Sequence, residues 1–135
     1  MIKLITGRKG TGKTKTLIDM INKAVTTSDG NIVCVEKSAK LTFDVPSSVR
    51  LIDVDDMIIT GYDSFLGFIQ GVLAGNYDIK ELFVDSIFKI CGNDMVEFDK
   101  FINNLYEQTK NNDCTIVFTV SADISELPEG VKRFI

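Results

Sequence analysis

Between positions 6 and 15 the chain passes from an apolar run to an amphipathic helix through a loop that few folds can use. Residues 7–14 read Gly-Arg-Lys-Gly-Thr-Gly-Lys-Thr. Before them, Ile2, Leu4 and Ile5 predict a short buried strand over 2–6. After them, Leu17, Ile18, Ile21, Ala24 and Val25 recur at helical spacing and predict a helix over 13–27. Gly7 and Gly12 let the backbone turn tightly enough for successive N–H groups to face one anion. The helix adds the positive end of its dipole beneath that anion. Lys13 brings a point charge to the β- and γ-phosphates of a nucleotide, and the Thr14 hydroxyl can ligate Mg²⁺. Arg8, Lys9, Gly10, Thr11 and Lys15 complete the phosphate-binding stretch.

The rest of the chain alternates. Strands are predicted over 31–36, 50–54, 81–85 and 115–120, with a short one at 131–135. A helix over 63–75 carries Tyr62, Phe65, Leu66, Ile69, Val72 and Leu73 in its apolar stripe, with Asp63 as its N-cap. A second, capped by Asn93 or Asp94, runs to about 110, and Glu97 takes the capping-box place after Asp94. Its stripe is Val96 or Met95, then Phe98, Phe101, Ile102 and Leu105. The stretch 37–49, with Pro46, is expected to be irregular. Strands separated by helices imply an α/β fold, a parallel β-sheet flanked by helices on both faces, in one domain over 1–135. Such sheets bind ligands beyond the carboxyl ends of their strands. Gly7, Glu36, Asp85 and Ser121 stand at four such ends and should rim one crevice.

Composition closes off other chemistries. The 135 residues include no histidine and three widely spaced cysteines, and the net charge is −4. Imidazole catalysis and a zinc site are therefore not expected, nor is a general nucleic-acid surface, which needs a basic patch. Cys34 and Cys114 read as small buried hydrophobes. No run is long enough to span a membrane and no secretion signal is seen, so a cytoplasmic location is expected.

Asp85, after Leu82-Phe83-Val84, is the carboxylate expected to hold Mg²⁺ opposite Thr14. Glu36 is the expected base that activates water, and Ser121 can hydrogen-bond the γ-phosphate. On these residues the chain resembles the P-loop NTPases. Glu36 after the second strand, Asp85-Ser86 after Leu82-Phe83-Val84, and Ser121 after the next strand make it similar to their RecA-like branch. That resemblance, which covers about 1–125, implies a three-layer sandwich with strand order 5-1-4-3-2 and an ATP-binding core with Mg²⁺ as cofactor.

RecA-like motors carry DNA-binding loops and pass an arginine or lysine to a neighbour. This chain has only Arg8, Arg50 and Arg133. A slow ATPase is therefore the expected activity, because a missing arginine finger withholds roughly 10³–10⁵-fold in rate. A protein partner, or self-association bringing Arg133 or Arg50 across an interface, is expected to accelerate it. A non-catalytic nucleotide sensor is the main alternative. A nucleoside-type kinase is a lesser one, for want of lid arginines, and no guanine-reading Asn-Lys-x-Asp motif is present. Gly67, Gly71 and Gly75 share one helix face, read either as a flat partner surface or as a weak helix.

Overall fold

The computed structural model describes residues 1–42 and 44–135. Residue 43, inside the stretch expected to be irregular, lies outside the described residues. Five strands form one all-parallel sheet: β1 (Ile2–Gly7), β2 (Asn31–Glu36), β3 (Arg50–Asp53), β4 (Ile79–Val84) and β5 (Thr115–Ser121). They lie side by side in the order β1-β5-β4-β2-β3. The helices are α1 (Lys13–Thr27), α2 (Tyr62–Ala74), α3 (Ile87–Cys91) and α4 (Met95–Thr109). None is long and apolar enough to cross a membrane.

Period-two alternation sorts the strand side chains onto two faces. On one, Ile32, Cys34, Phe83 and Val117 pack against Leu17, Ile21 and Ala24 of α1. On the other, Val33, Leu82 and Phe118 share a larger core with Phe65 and Ile69 of α2 and Phe98 and Phe101 of α4. The result is the expected α/β arrangement of three layers. Each large side chain fully buried here contributes roughly 1.5–3 kcal/mol. Phe101 meets Phe118 edge-on, ring centroids 5.8 Å apart, which fixes how α4 seats on β5. Cys34 and Cys114 are buried free thiols.

Counted along the chain the sheet reads 1-5-4-2-3, not 5-1-4-3-2. Two differences account for this. Residues 131–135 form no strand; Glu129–Phe134 is a 3-10 helix, whose Val131 and Phe134 are buried in the larger core, and β1 is left on the sheet edge. The short β3 is added beyond β2. Without β3, the remaining four strands read 1-4-3-2.

Other boundaries move for local reasons. α2 starts at Tyr62 with Gly61 as its N-cap, so Asp63 does not cap it. Instead the Thr60 N–H donates to Ser64 Oγ at 2.9 Å, and the buried Tyr62 hydroxyl donates to the Gly92 carbonyl at 2.6 Å. β4 begins at Ile79, before the expected 81. Asp94 caps α4, accepting from the Val96 and Glu97 N–H groups. Met95, not Val96, joins the core, since Val96 is 64% exposed. The short α3 was not expected.

Candidate functional site

The 7–14 loop leaves the carboxyl end of β1 and feeds α1, whose N-cap is Gly12 at φ 83°, ψ 21°. This left-handed conformation suits glycine, as does that of Gly10 at φ 85°. A Cβ on Gly7 would collide with the Thr11 hydroxyl oxygen. The loop closes on the Arg8 carbonyl, which accepts the Thr11 hydroxyl at 2.7 Å and Lys13 Nζ at 2.9 Å. Gly7 is anchored from β5's side: its N–H donates to the Ala122 carbonyl at 3.0 Å.

Asp85 follows β4, two places along the sheet from β1, and β5 fills the gap between them. Its carboxylate meets the first turn of α1: the Thr14 hydroxyl donates to Oδ1 at 3.3 Å and faces Oδ2 at 3.4 Å. These are long contacts for hydroxyl donors. The short one comes from β5, where the Thr119 hydroxyl donates to Oδ1 at 2.7 Å. Thr119 in turn accepts the Ser86 N–H at 2.6 Å, and the Asp85 N–H donates to the Val35 carbonyl at 2.9 Å. Asp85 is thus fixed by β2, β5 and α1 together. Thr14 and Asp85 present hard oxygen donors at one point, a set that suits Mg²⁺. Among the described residues no group of three or more His, Cys, Asp or Glu could hold a metal by itself, so such an ion would take its other ligands from phosphate and water.

Glu36 stands apart from this network. Glu36 is 2% exposed, and its carboxylate accepts the Lys40 N–H at 2.7 Å and the Leu41 N–H at 3.1 Å. Next to it, Asp53 takes the Ser38 and Ala39 N–H groups at 3.0 and 3.1 Å. Two carboxylates thereby satisfy four successive amides, 38–41, in a turn where Ser38 has φ 74°. Hydrogen bonds from the Asp55 and Ala39 backbones hold the Asp53 carboxyl below its usual range; desolvation opposes them, and the Ser38 N–H adds the least.

The crevice beside the 7–14 loop measures about 590 Å³. Lys9, Gly10, Gly12, Lys13 and Thr14 line it from the loop; Thr119 and Ser121 come from β5; Phe88, Lys89, Gly92 and Asn93 come from α3 and the turn after it. Arg8, Thr11, Gly7, Asp85 and Glu36 are outside that lining, and so is Lys15, which is exposed on α1. Among the described residues no acid lines the crevice itself. Partial burial holds the Lys13 ammonium below the usual lysine range; Asp85 opposes this and Lys89 adds to it. Burial, with Glu36 and Asp85 nearby, pushes the Cys34 thiol up to about 12.

Arg133 lies at the other end of the molecule, donating to Asn103 Oδ1 at 2.7 Å. Its guanidinium stacks on Tyr106 and Phe134, beside Met1 and Ile2 at the start of β1. Arg50 opens β3, also at the amino edge of the sheet. Sequence reasoning passed over Thr119 and Lys89. Thr119 had a signal: it shares strand parity with Val117, which faces α1, and stands near the same strand end as Ser121. Comparison with protein-family models and with curated proteins gives no match.

Proposed function

We propose that the chain is a P-loop protein of RecA-like kind that binds Mg·ATP and acts as a nucleotide-dependent switch with slow turnover at most. The observation that carries this reading is the meeting of Thr14 with Asp85, two groups distant in sequence, next to a glycine loop that opens a helix. Loop amides, the α1 dipole and Lys13 would hold the phosphates. Mg²⁺, shared by Thr14 and Asp85, would neutralise charge on the β- and γ-phosphate oxygens. The four longer strands, ordered 1-4-3-2, support the RecA-like assignment.

A specific observation favours sensing over hydrolysis. Glu36, the expected base, is buried and already accepts two backbone amides, and no acid lines the crevice among the described residues. A general base must come within hydrogen-bond reach of the water it activates.

Isothermal titration with Mg·ATP tests the binding site. Losing a charge-assisted contact costs about 1.5–3 kcal/mol, so Lys13→Ala should weaken binding at least about tenfold. Lys15→Ala should leave it nearly unchanged, and equal losses would remove Lys13 from the site. Phosphate release, followed against protein concentration, separates the two readings. A switch gives negligible release with or without Glu36→Gln. A slow ATPase with Glu36 as its base gives release that Glu36→Gln abolishes.

A further inference from the structure

We propose that Lys89 reads the terminal phosphate of the bound nucleotide, supplied by the chain itself, so that a triphosphate is held more tightly than a diphosphate. This rests on the reading that the 7–14 loop holds nucleotide phosphates. Lys89 lines the same crevice as Lys9 and Lys13 but reaches it from α3. The ion pairs of the described residues use Lys80, Lys100, Lys110 and Lys132. None uses Lys9, Lys13, Lys37 or Lys89. Lys37 stands close as well, its Nζ 3.5 Å from the Lys89 carbonyl. In a chain of net charge −4, three lysines that take part in no ion pair of the described residues, Lys9, Lys13 and Lys89, therefore line one crevice. Like charges gathered beside a low-dielectric wall repel one another and attract an anion.

The short helix bearing Lys89 is set in a fixed relation to Asp85. It enters through Ser86, left-handed at φ 61°, ψ 60°, and leaves through Gly92 at φ 96°. The Ser86 N–H is held by Thr119, which also holds Asp85. Lys89 thus comes from the Asp85 side of the crevice, whereas Lys9 and Lys13 come from the loop. A diphosphate gathered by the loop amides and Lys13 would leave Lys89 without a counter-charge; a third phosphate would supply one.

The test compares Mg·ATP and Mg·ADP by isothermal titration for the unmodified protein, Lys89→Gln, Lys89→Arg and Lys13→Ala. Lys89 is exposed, and circular dichroism checks that each variant keeps the fold. Lys89→Gln should weaken ATP about tenfold, as expected for one charge-assisted contact, and leave ADP within about twofold. Lys89→Arg should keep the preference for ATP. Equal loss of both nucleotides, or no loss of either, overturns the role of Lys89. If the unmodified protein binds nucleotide through Lys13 and only the Lys89 effect is missing, the nucleotide site stands and this inference falls alone. If the unmodified protein binds neither nucleotide, both fall.

Discussion

Two turns at the carboxyl edge of the sheet handle their hydrogen-bond donors in opposite ways. The turn after β2 directs the amides of 38–41 at Glu36 and Asp53, carboxylates the chain itself supplies. The turn after β1 carries Arg8, Lys9 and Lys13, has no acid of its own, and draws its donors onto the Arg8 carbonyl. An amide cradle that contains its own anions is a structural joint. A glycine loop that carries cations and no acid is suited to an anion from outside. The contrast also separates two acids that the sequence makes look alike. Val35 pairs with Val84, so Glu36 and Asp85 leave the sheet at the same level. Asp85 turns to hydroxyls at the mouth of the loop, and Glu36 turns back to its own backbone.

The largest effect should come from Asp85→Asn, which keeps shape and removes charge at the open cradle. Mg²⁺-dependent ATP affinity should fall by about 10–100-fold, the equivalent of 1.5–3 kcal/mol for a charged contact, with metal-free binding little changed. Titrations with and without Mg²⁺ measure this; an intact Mg²⁺ dependence would make Asp85 a structural acid like Glu36 and erase the contrast. Next comes Glu36→Ala, which strips the acceptor from two amides, one of them buried. Stability should fall by about 1–3 kcal/mol in urea unfolding while ATP affinity holds. A variant of normal stability that no longer binds ATP would move Glu36 into the site.

The smallest effect is a pH dependence centred on Asp53. Its folded-state carboxyl is held below the usual carboxylate range by backbone donors, chiefly from Asp55 and Ala39. The stabilisation it gives is therefore present above the ordinary carboxylate pKa and is lost as pH falls through the lowered folded value. Between about pH 5 and pH 3, where carboxylates titrate, the unmodified protein should lose more stability than Asp53→Asn does. Parallel urea midpoints for the two would sink the closed-turn account of Asp53.

Much of this was legible from pattern. Apolar runs and helical stripes located β1, β2 and α1 within a residue or so, because alternation and 3.6-residue spacing follow from burial on one face. The place of Asp85 was legible for the same reason, as the first acid past a buried strand. What escaped depended on contacts between distant segments. Asp63 resembles a cap locally, but Gly61 admits the helix earlier and Tyr62 is held by Gly92. Residues 131–135 resemble a strand, yet Val131 and Phe134 find burial in a 3-10 helix. Glu36 stands at the right strand end for chemistry. The demand for its carboxylate comes from an irregular turn whose amides no periodicity reveals.

The place of β5 governs the order in which this molecule can be put together. It pairs with β1 on one side and β4 on the other, joining Ile2 to Ile116 and Leu82 to Ile116. Until residues 115–121 have left the ribosome, β1 has no strand to pair with, and the loop it carries cannot be set against Asp85. Closing contacts across such long stretches of chain is slow. A nascent chain stalled before Thr115 would expose β1 and the open side of β4 as unpaired strand edges. The completed strand joins β1 to β4 and so sets the two sides of the crevice against each other.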